Sequence, residues 1–134
     1  MDLVVDANIL FAALVKEGKT AELLFREDLH LYAPDFLFKE FSKHEQFILA
    51  KTSRPQKDFG RLLEILKRRI AIVPFEEITP FLKKAKEISP DAGDVPYFAL
   101  ALKLKAGIWS NDNRLQSQNA VRVWKTQELA ALLP

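Results

Sequence analysis

Five short apolar runs, separated by longer and mostly amphipathic stretches, constrain this chain more than any other feature of its sequence. They are Leu3-Val4-Val5, His30 to Ala33, Ile70 to Val73, Ile108-Trp109-Ser110 and Val121 to Trp124. Each is too short for a buried helix and has the length of a strand. Helical spacing fills the intervals. It is expected at Ile9 to Val15 and Thr20 to Arg26, with a break at Gly18, and at Asp35 to Lys51 as one long helix with Asp35 as its N-cap. Pro55 marks a break before a helix over Gln56 to Arg69. Thr79-Pro80 opens another, which Pro90 ends. Asp94 to Lys105 is apolar nearly all round and therefore expected deep in the core, with Gly107 as its stop. Thr126 to Leu133 closes the series. Strands alternating with helices predict an α/β fold around a parallel sheet of about five strands. The 134 residues fit one domain, residues 1–134.

Composition removes several kinds of chemistry. The chain has no cysteine, so disulfides, thiolate nucleophiles, zinc–thiolate sites and iron–sulfur clusters are excluded. Two histidines, His30 and His44, are too few for a histidine-rich metal site, so any metal must be held mainly by oxygen. A formal net charge of +2 is too small for non-specific coating of nucleic acid, and it leaves room for a basic rim around an acidic centre. Asp2 and Asp6 interrupt the apolar run after Met1, and no apolar stretch reaches the ~20 residues of a membrane span. A soluble, cytoplasmic protein with no membrane contact is expected.

The acids fall in informative places. Ligands of open α/β sheets bind beyond the carboxyl ends of the strands. Asp6 ends the first strand and Asp112 follows the fourth, so the two face one crevice if those strands are neighbours. Glu40 shares a helical stripe with Leu37, Phe41, His44 and Ile48, and Asp94 shares one with Tyr97, Phe98 and Ala101. A carboxylate on an inward stripe needs a partner, and neither stripe offers a lysine or arginine. A divalent cation would relieve the repulsion among such acids, and hard oxygen ligands select Mg²⁺ or Mn²⁺. Blander roles stand beside this one. Asp94 can be an N-cap, Asp112 a turn former in Asn111-Asp112-Asn113, Asp6 a cap for the helix starting near Asn8, and Glu40 a stripe-edge residue snorkelling to water.

Three segments together resemble the PIN-domain family. Leu3-Val4-Val5-Asp6-Ala7-Asn8-Ile9-Leu10 is similar to its opening strand and first aspartate, and Phe36-Leu37-Phe38-Lys39-Glu40-Phe41 to the helix carrying its glutamate. Asp94-Val95-Pro96-Tyr97-Phe98-Ala99-Leu100-Ala101-Leu102, followed by Ile108-Trp109-Ser110-Asn111-Asp112, resembles its third aspartate, small-residue helix and fourth acidic position. The resemblance implies a Rossmann-like three-layer sandwich with the first strand beside the fourth. It implies a ribonuclease dependent on Mg²⁺ or Mn²⁺, with Asp6, Glu40, Asp94 and Asp112 as metal-holding and catalytic acids. Ser110 matches a position where the family often carries a small hydroxyl residue. Asn8 and Asn113 would orient ligands or waters. Asn113 stands where some relatives carry another acid, which would weaken a second metal site. Many similar prokaryotic members are VapC-type toxins held inactive by a small antitoxin, and many pair as homodimers.

The implied reaction is hydrolysis of an RNA phosphodiester, with Glu40 as ligand or as the base that orients water. RNA needs cations near the acids, and Lys39, Lys43, Arg54, Lys57, Arg61 and Arg114 are the candidates; for each, a solvated helix face is the competing role. Trp109 and Trp124 could stack bases, although their strand-like surroundings suit core packing. Other α/β classes fit less well. A haloacid-dehalogenase-like phosphatase needs an acid two positions after Asp6, where Asn8 stands. A receiver domain needs an aspartate after the third strand, which ends at Val73-Pro74. Four glycines provide no phosphate-binding loop. The alternative that remains is a non-catalytic PIN-like scaffold that binds RNA or protein.

Overall fold

The apolar runs become five strands: β1 (Asp2–Val5), β2 (His30–Pro34), β3 (Ile70–Val73), β4 (Gly107–Trp109) and β5 (Val123–Trp124). All pair in parallel, in the order β3-β2-β1-β4-β5. The computed structural model describes residues 1–15, 18–52 and 56–133. The central strand shows why a continuous apolar run was needed. Leu3, Val4 and Val5 are all fully buried, because helices cover both faces of a parallel sheet. Burial of side chains this size stabilises by about 1.5–3 kcal/mol each.

Helices α1 (Ala7–Val15), α2 (Lys19–Leu24), α3 (Phe36–Lys43), α4 (Glu45–Thr52) and α5 (Gln56–Arg69) come before β3. Within this group α1 packs on α2, α3 and α4. Helices α6 (Phe75–Ile78), α7 (Leu82–Ile88) and α8 (Val95–Leu104) link β3 to β4, and α8 lies across β1, β2 and β4. Helix α9 (Thr126–Leu132) follows β5 and packs on α2. The chain steps outward from β1 to β2 to β3 and then returns to the other side of β1. Right-handed crossovers therefore put the two helix groups on opposite faces and make the β1–β4 gap a topological switch point. Among the described residues, no helix is long and apolar enough to cross a membrane.

Several element boundaries depart from the sequence expectation. The single helix over Asp35 to Lys51 is two, α3 and α4, broken at His44, whose backbone turns to φ −103° and ψ 14°. Asp35 is not a cap. It has helical angles itself, and its carboxylate accepts instead from the Phe75 amide at 3.3 Å. The helix expected from Thr79 begins earlier, at Phe75, and is interrupted by a 3₁₀ turn over Thr79–Phe81. Pro80 has no N–H to continue the ladder, and the Thr79 hydroxyl caps the Phe75 carbonyl at 3.0 Å.

The stop of α8 is Lys105, left-handed at φ 54°, and not Gly107. Gly107 opens β4 instead, where a Cβ would stand 3.0 Å from the Arg122 carbonyl and from the Trp124 ring. The expected break at Gly18 is present, with φ 139°. As expected, α8 is buried nearly all round, with Tyr97 through Ala101 at most 2% exposed. Trp109 is wholly buried in the core, while the Arg122 guanidinium lies 4.2 Å over the half-buried Trp124 ring.

Candidate functional site

The carboxyl ends of β1 and β4 meet at the switch point. The Asp6 amide donates to the Trp109 carbonyl at 3.2 Å, which extends the β1–β4 pairing by one residue. This places Asp6 beside Ser110. The Ser110 hydroxyl donates to Asp6 Oδ2 at 2.7 Å and accepts from the Asp112 amide at 3.1 Å. Ser110 is fully buried and joins the two strand-end acids. Asp6 Oδ1 also accepts, at 3.4 Å, from the Asn8 amide.

Asp112 heads the 3₁₀ turn Asn113–Ser117 and accepts from the Arg114 amide at 3.0 Å, so the turn-forming role is realised. The Arg114 guanidinium also grips it. Nε lies 3.2 Å from both carboxylate oxygens and Nη2 lies 2.8 Å from Oδ2. Nη1 reaches Asp91 Oδ2 at 3.4 Å.

Asp94 ends a 3₁₀ turn, Ala92–Asp94, at the entrance to α8. Its side chain caps nothing, so the N-cap role is not realised. Among the described residues, its Oδ2 is the buried side-chain oxygen or nitrogen left with no hydrogen bond. Glu40 finds its partner on another helix: Tyr97 of α8 donates its hydroxyl to Glu40 Oε1 at 2.8 Å. Glu40 is half-buried, as a residue at the edge of the apolar stripe of Leu37 and Phe41 must be.

Electrostatics ties these groups together. Burial raises the Asp6 pKa above its ordinary value, the Ser110 and Asn8 hydrogen bonds oppose the rise, and the Asp112 charge adds to it. Asp94 is pushed up to about 6, first by burial and then by the charges of Asp6, Asp91 and Asp112, against the pull of Arg114. Asp112 is held below the usual carboxylate range by its hydrogen bond from Arg114. Tyr97 is raised by burial and by Glu40, and stays a donor. Asp6, Asp94 and Asp112 therefore share one field, and Glu40 joins it through Tyr97.

The donor set suits a hard divalent cation. It consists of carboxylate oxygens in mutual repulsion, with one buried oxygen lacking any partner. Neither histidine bonds to these acids. His30 pairs with Asp2 at 3.1 Å, and His44 stands edge-on to Phe11. The acids are not gathered around a point, however. Among the described residues, no group of three or more His, Asp or Glu side chains is arranged to hold a metal ion. Asp6, Glu40 and Asp112 are each turned toward partners within the chain.

The other expected residues are placed unevenly. Asn8 contributes its amide, and its exposed side chain lines a small recess with Phe11, His44 and Phe47. Asn113 is exposed at the start of its turn, and no hydrogen bond ties it to the acids. Lys39 and Lys43 are exposed along an open groove with Asp35, Phe38 and Ser42, and Lys57 and Arg61 are exposed on α5. Arg54 lies outside the described residues. Arg114 is the expected cation that the structure brings onto the acids.

Two participants were not singled out from sequence. Tyr97 was read as part of an apolar stripe, where a tyrosine cannot be told from core. Asp91 accepts from the Gly93 amide at 3.0 Å, which caps its 3₁₀ turn, and also takes part of Arg114.

A family model described as PIN domain matches residues 4–133. Among solved structures, the fold is similar to VapBC2 from Rickettsia felis, bound to a DNA fragment from their promoter (TM-score 0.68, 15% identity, 93% of this chain and 98% of that one). It is similar also to VapBC-1 from nontypeable Haemophilus influenzae (TM-score 0.65, 17% identity, 95% and 99%). A third likeness is to PAE2754 from Pyrobaculum aerophilum (TM-score 0.63, 14% identity, 99% and 89%). At these identities the likeness is one of fold. No curated protein matches the chain by sequence.

Proposed function

The chain belongs to the PIN domain family, and from that premise we propose that it is a divalent-metal-dependent endoribonuclease. The observation that carries this reading is the buried, unpartnered Oδ2 of Asp94, set in the common field of Asp6 and Asp112 at the switch point of the sheet. An oxygen so placed costs about 1–3 kcal/mol unless something ligates it.

Asp6, Asp94 and Asp112 would hold Mg²⁺ or Mn²⁺, which when bound supplies Lewis acidity at the phosphoryl oxygens and eases ionisation of water. The residues of the chain do the rest. Ser110 donates to Asp6 and fixes the carboxylate against rotation. Tyr97 keeps one oxygen of Glu40 occupied, which leaves the other to accept a proton from the attacking water. Lys39, Lys43, Lys57 and Arg61 would meet the phosphates on either side of the scissile bond. Asn8 and Asn113 would steady waters at the rim.

The same reading takes residues 1–134 as one domain acting in the cytoplasm as a homodimer. It takes a small antitoxin protein as partner, for which the support is the fold likeness to the two VapBC structures. The test is cleavage of a mixed single-stranded RNA pool with Mn²⁺, with Mg²⁺ and with EDTA. We expect cutting in either metal, none in EDTA, and a loss of more than about 100-fold in Asp6→Asn, since even residues behind a metal's ligands are worth 10–100-fold. A folded protein that binds Mn²⁺ yet cuts no RNA would favour the binding scaffold instead.

A further inference from the structure

The side chain of Arg114 engages both oxygens of Asp112 and one of Asp91, yet about two-thirds of it is exposed. Its backbone is held separately. The Arg114 amide bonds to Asp112 Oδ1, the Leu115 amide bonds to the Asp112 carbonyl at 3.2 Å, and Leu115 is buried. The guanidinium can therefore swing away without unwinding the turn. Asp112 is only 20% exposed, and the Arg114 fork covers the oxygens that a cation would need. A guanidinium and a divalent cation on one carboxylate repel each other and compete for the same lone pairs.

We propose that Arg114 is a displaceable counter-cation, which occupies Asp112 and Asp91 in the chain alone, yields Asp112 to a divalent cation, and is then free at the rim to meet an RNA phosphate. This inference rests on the nuclease reading above and adds to it a competition within the chain. Asp94 marks where the incoming cation gains most, because Arg114 bonds to its neighbours Asp91 and Asp112 and leaves Asp94 Oδ2 without a partner. By linkage, whatever loosens Arg114 tightens the metal, and the reverse.

The experiment is calorimetric titration of Mn²⁺ into the wild type, Arg114→Gln and Arg114→Lys. Nitrogen-15 spectra of the arginine Nε–H groups would be recorded with and without Mg²⁺. We expect Arg114→Gln to bind Mn²⁺ about two- to fivefold more tightly, the range that an exposed ion pair can be worth. Arg114→Lys should stay near the wild type. The hydrogen-bonded Arg114 Nε–H signal should move as Mg²⁺ saturates.

Equal or weaker Mn²⁺ binding in folded Arg114→Gln, or an Nε–H signal indifferent to Mg²⁺ at saturation, overturns the proposal and leaves Arg114 as a stabiliser of its turn. Failure of the wild type to bind Mn²⁺ is a distinct result. It removes the metal reading itself, and this inference with it.

Discussion

At the scale of single residues, the acid with the most to reveal is Asp94. Its pKa is about 6 in the fold against an ordinary value of 3.8, so the folded chain holds that proton more tightly than the unfolded one. Between those values folding takes up a proton. This contribution to stability is whole below about pH 4 and is lost as pH rises through 6. Asp6 shifts in the same direction, by burial, while Asp112, lowered by Arg114, works oppositely and loses its contribution as pH falls. Asp94→Asn should therefore raise the melting temperature of the metal-free protein at pH 8 and leave it nearly unchanged at pH 4. Thermal melts across that range decide the matter: an equal effect at both ends would mean that Asp94 is burdened neither by burial nor by its neighbours' charge. The position of this acid could be read in the sequence, because it sits on an apolar stripe without a cation. Its missing partner could not, because that depends on which groups the fold brings near.

At the scale of elements, the helix ends and helix contacts carry the predictions. Helix α8 ends at Lys105 in the left-handed region, which disfavours a side chain with Cβ by about 1 kcal/mol. Lys105→Gly should stabilise the protein by about 0.5–1 kcal/mol in urea denaturation, whereas Gly107→Ala should destabilise it by about 1–3 kcal/mol, as a Cβ is driven against Trp124 and the Arg122 carbonyl. If the two substitutions had the same sign, the assignment of the helix stop would be wrong. The hydroxyl of Tyr97 ties α8 to α3 through Glu40. Removing it in Tyr97→Phe should cost about 1–2 kcal/mol and lower kcat more than it changes KM, since it frees the carboxylate without touching the phosphate contacts. A fall in stability with kcat intact would reduce Tyr97 to a packing residue. The strands were legible because short β-branched and aliphatic runs have few alternatives; Pro34, Pro74 and Gly107 bound three of them, and Asp6 ends the first. The break between α3 and α4 was not, because no glycine or proline marks it and Leu37, Phe41 and Ile48 stay buried across it. The α3–α8 tie was also hidden, since helical periodicity sorts faces but does not pair them.

At the scale of the whole molecule, the candidate site is a consequence of strand order. Asp6 and Ser110 are 104 residues apart and meet only because the chain returns from β3 to lay β4 against β1. The neighbouring of those two strands was an expectation from resemblance, and the parallel pairing of β1 with β4 bears it out. A site assembled from both ends of the chain exists only in the folded state, so a cation that binds there must stabilise the entire fold. At 100 times its dissociation constant, the gain is about 2.7 kcal/mol. For a chain of this length, that corresponds to roughly 10 °C in Tm. The gain should grow between pH 5 and 7, because Asp94 must give up its proton to become a ligand and holds it until about pH 6. The same titration on Asp6→Asn should show a much smaller shift, because one of the three carboxylates proposed to hold the cation is gone. Thermal melts with Mn²⁺ at pH 5, 6 and 7 on both proteins provide the comparison. An upward shift that increases with pH in the wild type and shrinks in Asp6→Asn would place the cation at the switch point of the sheet. A shift of equal size in both proteins would place it on some other acidic surface, and the field shared by Asp6, Asp94 and Asp112 would then need another explanation.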